Sequence, residues 1–553
     1  MAADREDTNH CSLFLIAIVG NLGSLLFGYD FGVTSWLLVS VANYAASTSD
    51  PGDGTNYYIV VNDSSGLRGL IAAGASIGAF ITYVVLLFFG NALLKKDEIM
   101  LSACLFFSGA LLESTSGILD WNGSWNGLAV LIAGRIIYGA GIASSFHAVP
   151  QYISELGPKN LRGMVGTVTE AMITTGVILG FLIGFLYEEG GWVVPFRVGY
   201  CIAIAMGFLA LFIPHSPSGM VTAGYDVPDV LEAYRVIHTH ATEEDIHDLL
   251  ARREEEKIEF QRWERYFQRV LSSRGTLGTD MEQTPPEDKP CCDVSLEVKV
   301  LFSDPRMRRC LMLAILLVIL QIGTGQGVIL YFSGDIFLEL CPDTYDECLL
   351  AFGGVKLVSA YMMVFFADSL GRREFLCWGT SIMVAGMIIL TAAYNYKRME
   401  IALSGLFIAV AGYEAGLGSF MWVLLSEIFP RFTRSASNSI AVSVLFLVST
   451  ILTFSLPYFL EFAGLLPIFI LFTVIGGAAI LALYLYAPET SGVELEEAYK
   501  GVEIRCRQAG LGLCCGNDED EDHDQQLKAL EGKEGEALLG GQQWPSSSHR
   551  ETD

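Results

Sequence analysis

The stretch SLLFGYDFGVTSWLL, residues Ser24 to Leu38, places an aspartate inside a run of residues apolar enough to span a lipid bilayer. A charged side chain at the centre of a membrane costs about 2.5–3.5 kcal/mol even on lenient insertion scales, so such residues are rare and mark functional sites. The apolar run therefore predicts a membrane-spanning helix, and Asp30 within it predicts a basic partner on a second helix.

The composition of the whole chain agrees with a polytopic membrane protein. Of the 553 residues, 52% are hydrophobic and only 17% are charged, whereas a soluble protein carries about 25% charged residues. Apolar stretches long enough to cross a bilayer recur near residues 12–40, 68–90, 98–118, 128–150, 165–187, 195–213, 309–338, 349–367, 374–394, 401–428, 437–459 and 465–487. They form two groups of six, separated by a long polar loop.

The distribution of basic residues predicts the orientation. Lysine and arginine concentrate in the loops that lie inside if the N-terminus is cytoplasmic. Asn62 and Asn122 begin Asn-x-Ser sequons in loops that this topology places outside, so both are candidate glycosylation sites. The predicted division is a cytoplasmic N-terminus (1–11), a six-helix bundle (12–213), a cytoplasmic loop with amphipathic helices (214–308), a second bundle (309–487) and an acidic, partly disordered cytoplasmic tail (488–553).

Charge and cysteine content exclude several functions. The net charge of −27 is concentrated in the central loop and the tail, so a nucleic-acid partner is not expected. The twelve cysteines form no metal pattern, although Cys341 and Cys348 lie in one predicted outer loop and are candidates for a disulfide. The chain has no nucleotide-binding loop, nucleophile elbow or metal cluster. We therefore expect neither an enzyme nor a cofactor, with the proton as the coupling ion.

An internal repeat relates the two groups of six. DSLGRR (368–373) follows the eighth apolar stretch, and NALLKK (91–96) stands at the corresponding place in the first half. Matching loops indicate a duplicated six-helix unit.

With this repeat, the chain resembles the sugar porter family of the major facilitator superfamily over nearly its whole length. The match is carried by LLFGYDFGV (25–33), GRIIYGAGIASSFHAVPQYISELGPKNLRG (134–163), LQIGTGQGVILYFS (320–333), DSLGRR, GLGSFMWVLLSEIFPRFTR (416–434) and PETSGVELEE (488–497). The resemblance implies an all-α integral membrane fold of twelve transmembrane helices in two six-helix bundles that rock about a site near the midplane. It also implies inner-loop and gating roles for Glu155, Arg162, Asp368, Arg372, Arg373, Glu414, Glu427 and Arg434.

Arg135, in the fourth apolar stretch, is the expected partner of Asp30. Gly28 and Gly32 near the acid, and Gly134, Gly139 and Gly141 near the base, are expected to let these two helices approach closely. Protonating Asp30 would weaken the pair and bias one transport state over another. The resemblance favours this, because proton-coupled sugar porters carry aspartate here and passive ones usually carry asparagine. The alternative is a permanent ion pair that only holds two helices together.

The resemblance also implies a sugar site built from amides and an aromatic platform. Gln321, Tyr331 and Trp422 match that pattern, and Gln326 could replace a missing asparagine. Other positions depart from the pattern, and two of them introduce charges, because Glu170 stands where glutamine is usual and Lys356 where asparagine is usual. We hypothesise that these opposite charges approach each other or bind a charged substrate. The alternative is that Lys356 extends outward to the membrane surface.

These observations predict a secondary active transporter that imports a monosaccharide (hexose) or polyol by alternating access, with proton symport. A passive sugar uniporter is the nearest alternative, and a transporter-like nutrient sensor that signals through its tail belongs to a different class. The expected partners are the sugar or polyol, protons and the lipid bilayer, with the monomer as the working unit. The plasma membrane is the expected location, although EGEALL (534–539) has the form of a vacuolar or endosomal sorting signal.

Overall fold

The structure, a computed structural model, describes residues 10–47, 57–90, 93–117, 125–156, 162–187, 192–236, 294–303, 305–366, 371–429 and 433–489, with short pieces between 238 and 251. Within these residues the regular structure is helical, and twelve segments are long and apolar enough to cross a bilayer. A helix satisfies its own backbone hydrogen bonds, which lipid cannot do. The predicted all-α membrane fold is confirmed.

The first six spans are single helices. Spans 1 to 6 correspond to Leu22–Ser47, Ser65–Phe89, Lys95–Thr115, Trp125–Leu156, Arg162–Leu186 and Val193–Ala210. A separate helix, His10–Gly20, precedes span 1, so the apolar stretch predicted at 12–40 is divided after Gly20. Three short helices, Tyr57–Asn62, Pro217–Thr222 and Val227–Arg235, lie in the connections.

Two of the last six spans are interrupted. Span 7 consists of Pro305–Gly323 and Gln326–Tyr331, and it is followed by Ser333–Leu340. Span 10 consists of Met399–Tyr413, a π-helical turn at Glu414–Gly418 and Ser419–Glu427. Spans 8, 9, 11 and 12 are Tyr345–Phe366, Arg372–Asn395, Arg434–Ala463 and Leu465–Tyr486, and Val294–Ser303 precedes span 7.

The break in span 7 has a local cause. Gly325 has a φ of 81°, in the left-handed region that other residues rarely adopt. The backbone therefore turns between the two helices, and it carries Gln326 and Tyr331 on a short helix of their own. Interrupted helices in transporters place polar groups and free backbone groups at the substrate.

The two halves contact each other through matching pairs of spans. Span 2 packs against span 11, and span 5 packs against span 8. Within the first half, span 1 packs on span 5, span 2 on span 4, and span 3 on spans 4 and 6. Each half is therefore a bundle of its own, and the side chains between the halves come from both.

Glycines set the closest helix contacts, but not where the sequence predicted them. Gly28 and Gly32 pack against span 5, at Ile173 and Gly180, and Gly139 packs against span 2 at the carbonyl of Ala75. Gly134 and Gly141 face span 3, at Glu113 and Phe106. The expectation that these glycines bring spans 1 and 4 together is wrong, because the rotation of each helix turns them toward other neighbours.

Several predicted features lie outside the described residues. They include most of the amphipathic helix predicted at 243–270, the acidic tail and the sorting motif at 534–539.

Candidate functional site

Asp30 and Arg135 form a buried ion pair between spans 1 and 4. The guanidinium donates from Nη1 to Oδ1 of Asp30 and from Nη2 to Oδ2, the latter at 3.2 Å. Arg135 also donates from Nε to the carbonyl of Ile71 at 3.1 Å and from Nη2 to that of Ala72 at 3.4 Å. These bonds replace the water that both charges lose on burial. The structure thus brings together the two residues that the sequence paired.

A residue of the second half also contacts Asp30. The hydroxyl of Tyr331 donates to Oδ2 of Asp30 at 3.2 Å, and the Tyr331 ring lies 4.5 Å from that of Phe31. Tyr331 was predicted to bind substrate, but its hydroxyl is engaged with the carboxylate. The ionisable pair of the first half is therefore connected directly to the interrupted span 7.

Lys356 lies between two carboxylates from opposite halves. Its Nζ donates to Oε1 of Glu414 on span 10 and lies 3.5 Å from Oε1 of Glu170 on span 5. Only 2% of Lys356 is exposed, so it does not extend to the membrane surface. The ammonium also lies 5.3 Å from the centre of the Tyr413 ring. One cation and two acids therefore meet where the two bundles face each other.

Glu414 is positioned by the π-helical turn, and the structure separates it from the inner-loop residues with which the sequence grouped it. A π-helical turn inserts one extra residue, and it often marks a functional site. This turn places Glu414 fully buried beside Lys356, and its Oε2 has no hydrogen-bond partner. Its position near Lys356 argues for a role at the centre of the protein.

Trp422 contacts this cluster directly, and Gln321 contacts the π-helical turn that carries Glu414. Trp422 donates from Nε1 to Oε2 of Glu170 at 3.3 Å, and its ring lies 5.2 Å from that of Phe146. Gln321 donates from Nε2 to the carbonyl of Leu417 at 3.2 Å. Oε1 of Gln321 and Nε2 of Gln326 are buried without a hydrogen-bond partner. These unsatisfied acceptors and donors match the needs of a polyhydroxylated ligand.

Comparison with known proteins identifies the family. The family model described as "Sugar (and other) transporter" matches residues 16–500. The chain belongs to this family of sugar transporters. It is therefore a membrane transporter rather than an enzyme, and its twelve spans are those of the major facilitator superfamily.

Relatives of this transporter are named after different sugars. It is 29% identical over 507 residues to D-xylose-proton symporter-like 3, chloroplastic, of Arabidopsis thaliana. The alignment covers 90% of this chain and 84% of that protein. It is 26% identical to the glucose transporter GlcP of Staphylococcus epidermidis, with 88% and 96% covered. The fold matches the proton:xylose symporter XylE bound to 6-bromo-6-deoxy-D-glucose, with a TM-score of 0.70, 22% identity and coverage of 89% and 100%.

The inner ends of the transporter hold several predicted gating residues together. Ser216 donates to Glu155, and the backbone amides of Arg372 and Arg373 donate to the carboxylate of Glu489 at 3.0 and 3.2 Å. Three further contacts are Arg372 Nε to Glu427 Oε2 at 3.9 Å, Arg373 Nη2 to the carbonyl of Tyr484 at 2.9 Å and Arg434 Nη2 to that of Phe429 at 3.3 Å. These contacts tie each inner loop to its own half.

Other predicted sites are only partly described. Asp368, Asn122 and the side chain of Arg162 lie outside the described residues. Asn62 is half-buried at the end of its short helix. Cys341 and Cys348 are free thiols in the structure, and the disulfide between them stays a prediction.

Sequence reasoning missed two buried acids of the transporter. Glu113 on span 3 lies 3.9 Å from Nη1 of Arg135, and Glu98 accepts from Lys95 and lies 2.6 Å from Nδ1 of His147. The signal for Glu113 was present, because ALLEST (110–115) places an acid within the apolar stretch predicted at 98–118.

Proposed function

We propose that this protein imports a monosaccharide or polyol together with protons. The observation that carries the proposal is the buried contact of Asp30 with both Arg135 and Tyr331, which connects an ionisable acid of the first half to the interrupted span 7 of the second. As a carboxylate, Asp30 accepts from both groups. When it takes up a proton, the acid is neutral, and its attraction for the guanidinium falls.

Protonation of Asp30 would thereby change the contact between the halves. The carboxylate that accepts from Tyr331 becomes a hydroxyl-bearing group and can no longer serve both donors equally. Because the hydrogen bond with Tyr331 spans the halves, the proton alters the relative stability of states in which they are close or apart. A proton gradient can then drive sugar uphill by population shift.

The sugar is proposed to bind between Glu170, Lys356 and Trp422, with Gln321 and Gln326 beside them. The unsatisfied oxygen of Gln321 and nitrogen of Gln326 support this placement, since sugar hydroxyls both donate and accept. A bound sugar would replace part of the direct contact between Lys356 and Glu170, so its hydroxyls would bridge the halves. The names of the two relatives suggest xylose and glucose as the first substrates to test.

Uptake by the purified transporter in vesicles tests the coupling. Labelled sugars and polyols are offered with and without an inward proton gradient. We expect accumulation above equilibrium only with the gradient, and we expect Asp30→Asn to abolish accumulation while retaining downhill exchange. Asp343→Asn, which makes the same change at an exposed position and creates no sequon, is the matched control.

Three outcomes would contradict the proposal. If the wild type equilibrates sugar without accumulating it under any gradient, the protein is a passive uniporter. If Asp30→Asn still accumulates sugar under the gradient, Asp30 does not carry the coupling proton. Absence of uptake for the whole panel, with intact sugar binding, would instead favour a sensor.

We also propose that the protein works in the plasma membrane as a monomer. Fluorescence localisation of the full-length chain, with and without substitution of Leu538 and Leu539 in EGEALL, tests the location. Retention at the cell surface in both cases is expected. A vacuolar or endosomal signal that disappears with the substitution would overturn the proposed location.

A further inference from the structure

Glu113 is a second carboxylate at the Asp30–Arg135 pair. It lies on span 3 with 1% of its surface exposed, and its Oε1 is 3.9 Å from Nη1 of Arg135. This oxygen has no hydrogen-bond partner in the structure. A buried carboxylate oxygen that has no hydrogen bond and lies 3.9 Å from a guanidinium nitrogen is only partly compensated for its lost hydration. Its position beside the guanidinium therefore needs an explanation.

The other groups around the cluster do not supply that explanation. Tyr138 on span 4 donates its hydroxyl to the carbonyl of Leu26 at 2.8 Å, and Tyr29 on span 1 donates to that of Pro195 at 2.5 Å. Tyr331 donates to Asp30. Among the described residues, the base that faces both acids is Arg135. Two carboxylates thus share one guanidinium, which contacts Asp30 and lies just beyond hydrogen-bond distance of Glu113.

Protonation of Asp30 leaves the guanidinium without its closest anion. Arginine keeps its charge at any relevant pH, so it needs another counter-ion while it remains buried. Glu113 is close enough to become that counter-ion after a small side-chain rotation. We propose that Glu113 is the alternative partner of Arg135, which leaves Asp30 for Glu113 when Asp30 takes up a proton. This inference rests on the proposed proton coupling and adds a positioning residue to it.

The exchange requires only one proton per cycle. The proton forms an O–H bond on a carboxylate oxygen of Asp30, Glu113 remains ionised, and Arg135 moves between them. When the proton leaves Asp30 on the other side of the membrane, the guanidinium returns to Asp30. Glu113 therefore assists proton uptake in two ways: its negative charge favours a neutral Asp30, and it stabilises the displaced Arg135.

The pH dependence of sugar uptake tests this role. Glu113→Gln removes the negative charge, so Asp30 should bind its proton more weakly. We expect the pH of half-maximal uptake to fall by about one unit, a tenfold higher proton concentration. Glu113→Asp, which keeps the charge, should have a midpoint close to that of the wild type. Glu98→Gln, at a buried acid bonded to Lys95 and His147, should leave the midpoint unchanged. An unchanged midpoint in Glu113→Gln would overturn the proposal.

Thermal unfolding gives a test that does not depend on transport. In Asp30→Asn or Glu113→Gln, one carboxylate remains for Arg135, whereas the double variant leaves none. We expect the double variant to lose clearly more stability than the two single losses added together. Additive losses would show that the two acids do not share the guanidinium. This result would hold whether or not the protein couples protons. A failure of proton-driven accumulation in the wild type would overturn the proposed function alone.

Discussion

At the scale of single residues, the protein is organised by charges that lipid cannot solvate. Two clusters of buried charge lie where spans meet. Asp30 and Arg135 lie within the first half, whereas Lys356 connects Glu170 of the first half to Glu414 of the second. The first cluster suits a proton, and the second lies among the polar groups expected to contact a sugar.

Removing the cation of the second cluster should expose the repulsion between its acids. Lys356→Met leaves Glu170 and Glu414 buried without a counter-ion, a loss of about 3–5 kcal/mol. We expect a clear drop in the unfolding temperature in detergent and loss of uptake. Adding Glu414→Gln should recover part of the stability because one of the two carboxylates is removed. Adding Glu98→Gln, at an acid in the first half that does not contact Lys356, should not. Equal stability of Lys356→Met and the wild type would show that Glu170 and Glu414 do not need Lys356 as a counter-ion.

At the scale of helices, close approach depends on glycine and on local irregularities. The backbone carbonyl of Ile136 on span 4 would lie only 1.9 Å from a Cβ placed on Gly78 of span 2. This contact keeps the carbonyls of Ile71 and Ala72 within reach of Arg135. In span 10, the π-helical turn begins at Glu414, the residue that contacts Lys356.

Gly78→Ala should therefore force spans 2 and 4 apart. We expect a loss of about 1–3 kcal/mol, the usual cost of overpacking, together with weaker proton coupling, because the bonds that orient Arg135 lengthen. Gly477→Ala is the matched control, since no atom lies within 4 Å of a Cβ at that position. Thermal unfolding and uptake of both variants are compared with the wild type. Similar behaviour of the two variants would mean that the close contact does not position Arg135.

At the scale of the whole molecule, the halves meet through polar contacts near the predicted outer ends of their spans. Ser35 lies 2.9 Å from Ser333 between their Oγ atoms, and Arg68 donates to Asp335 at 2.6 Å. These contacts join span 1 and span 2 of the first half to the helix that follows span 7. Alternating access requires that such contacts break when the protein opens on that side.

A disulfide between the halves should arrest transport. Replacing Ser35 and Ser333 by cysteine places two thiols at the observed contact, and oxidation should abolish uptake until a reductant is added. Each single cysteine variant, treated with the same oxidant, controls for the native cysteines. Mass spectrometry of the linked peptides measures bond formation. Continued uptake by the fully cross-linked protein would show that the halves do not separate at this contact.

The sequence alone determined the number of spans, the membrane fold and the pairing of Asp30 with Arg135. Each follows from one physical requirement, since a bilayer demands long apolar helices and a buried charge demands an opposite charge. The tertiary structure alone decided which neighbours the glycines meet and that Tyr331 contacts Asp30. It also decided that Glu113 lies beside Arg135 and that Glu414 lies beside Lys356. Those contacts depend on helix rotation, depth and the extra residue of a π-helical turn. A rotation of a few tens of degrees changes every contact of a side chain without changing the hydrophobic pattern that predicts the helix.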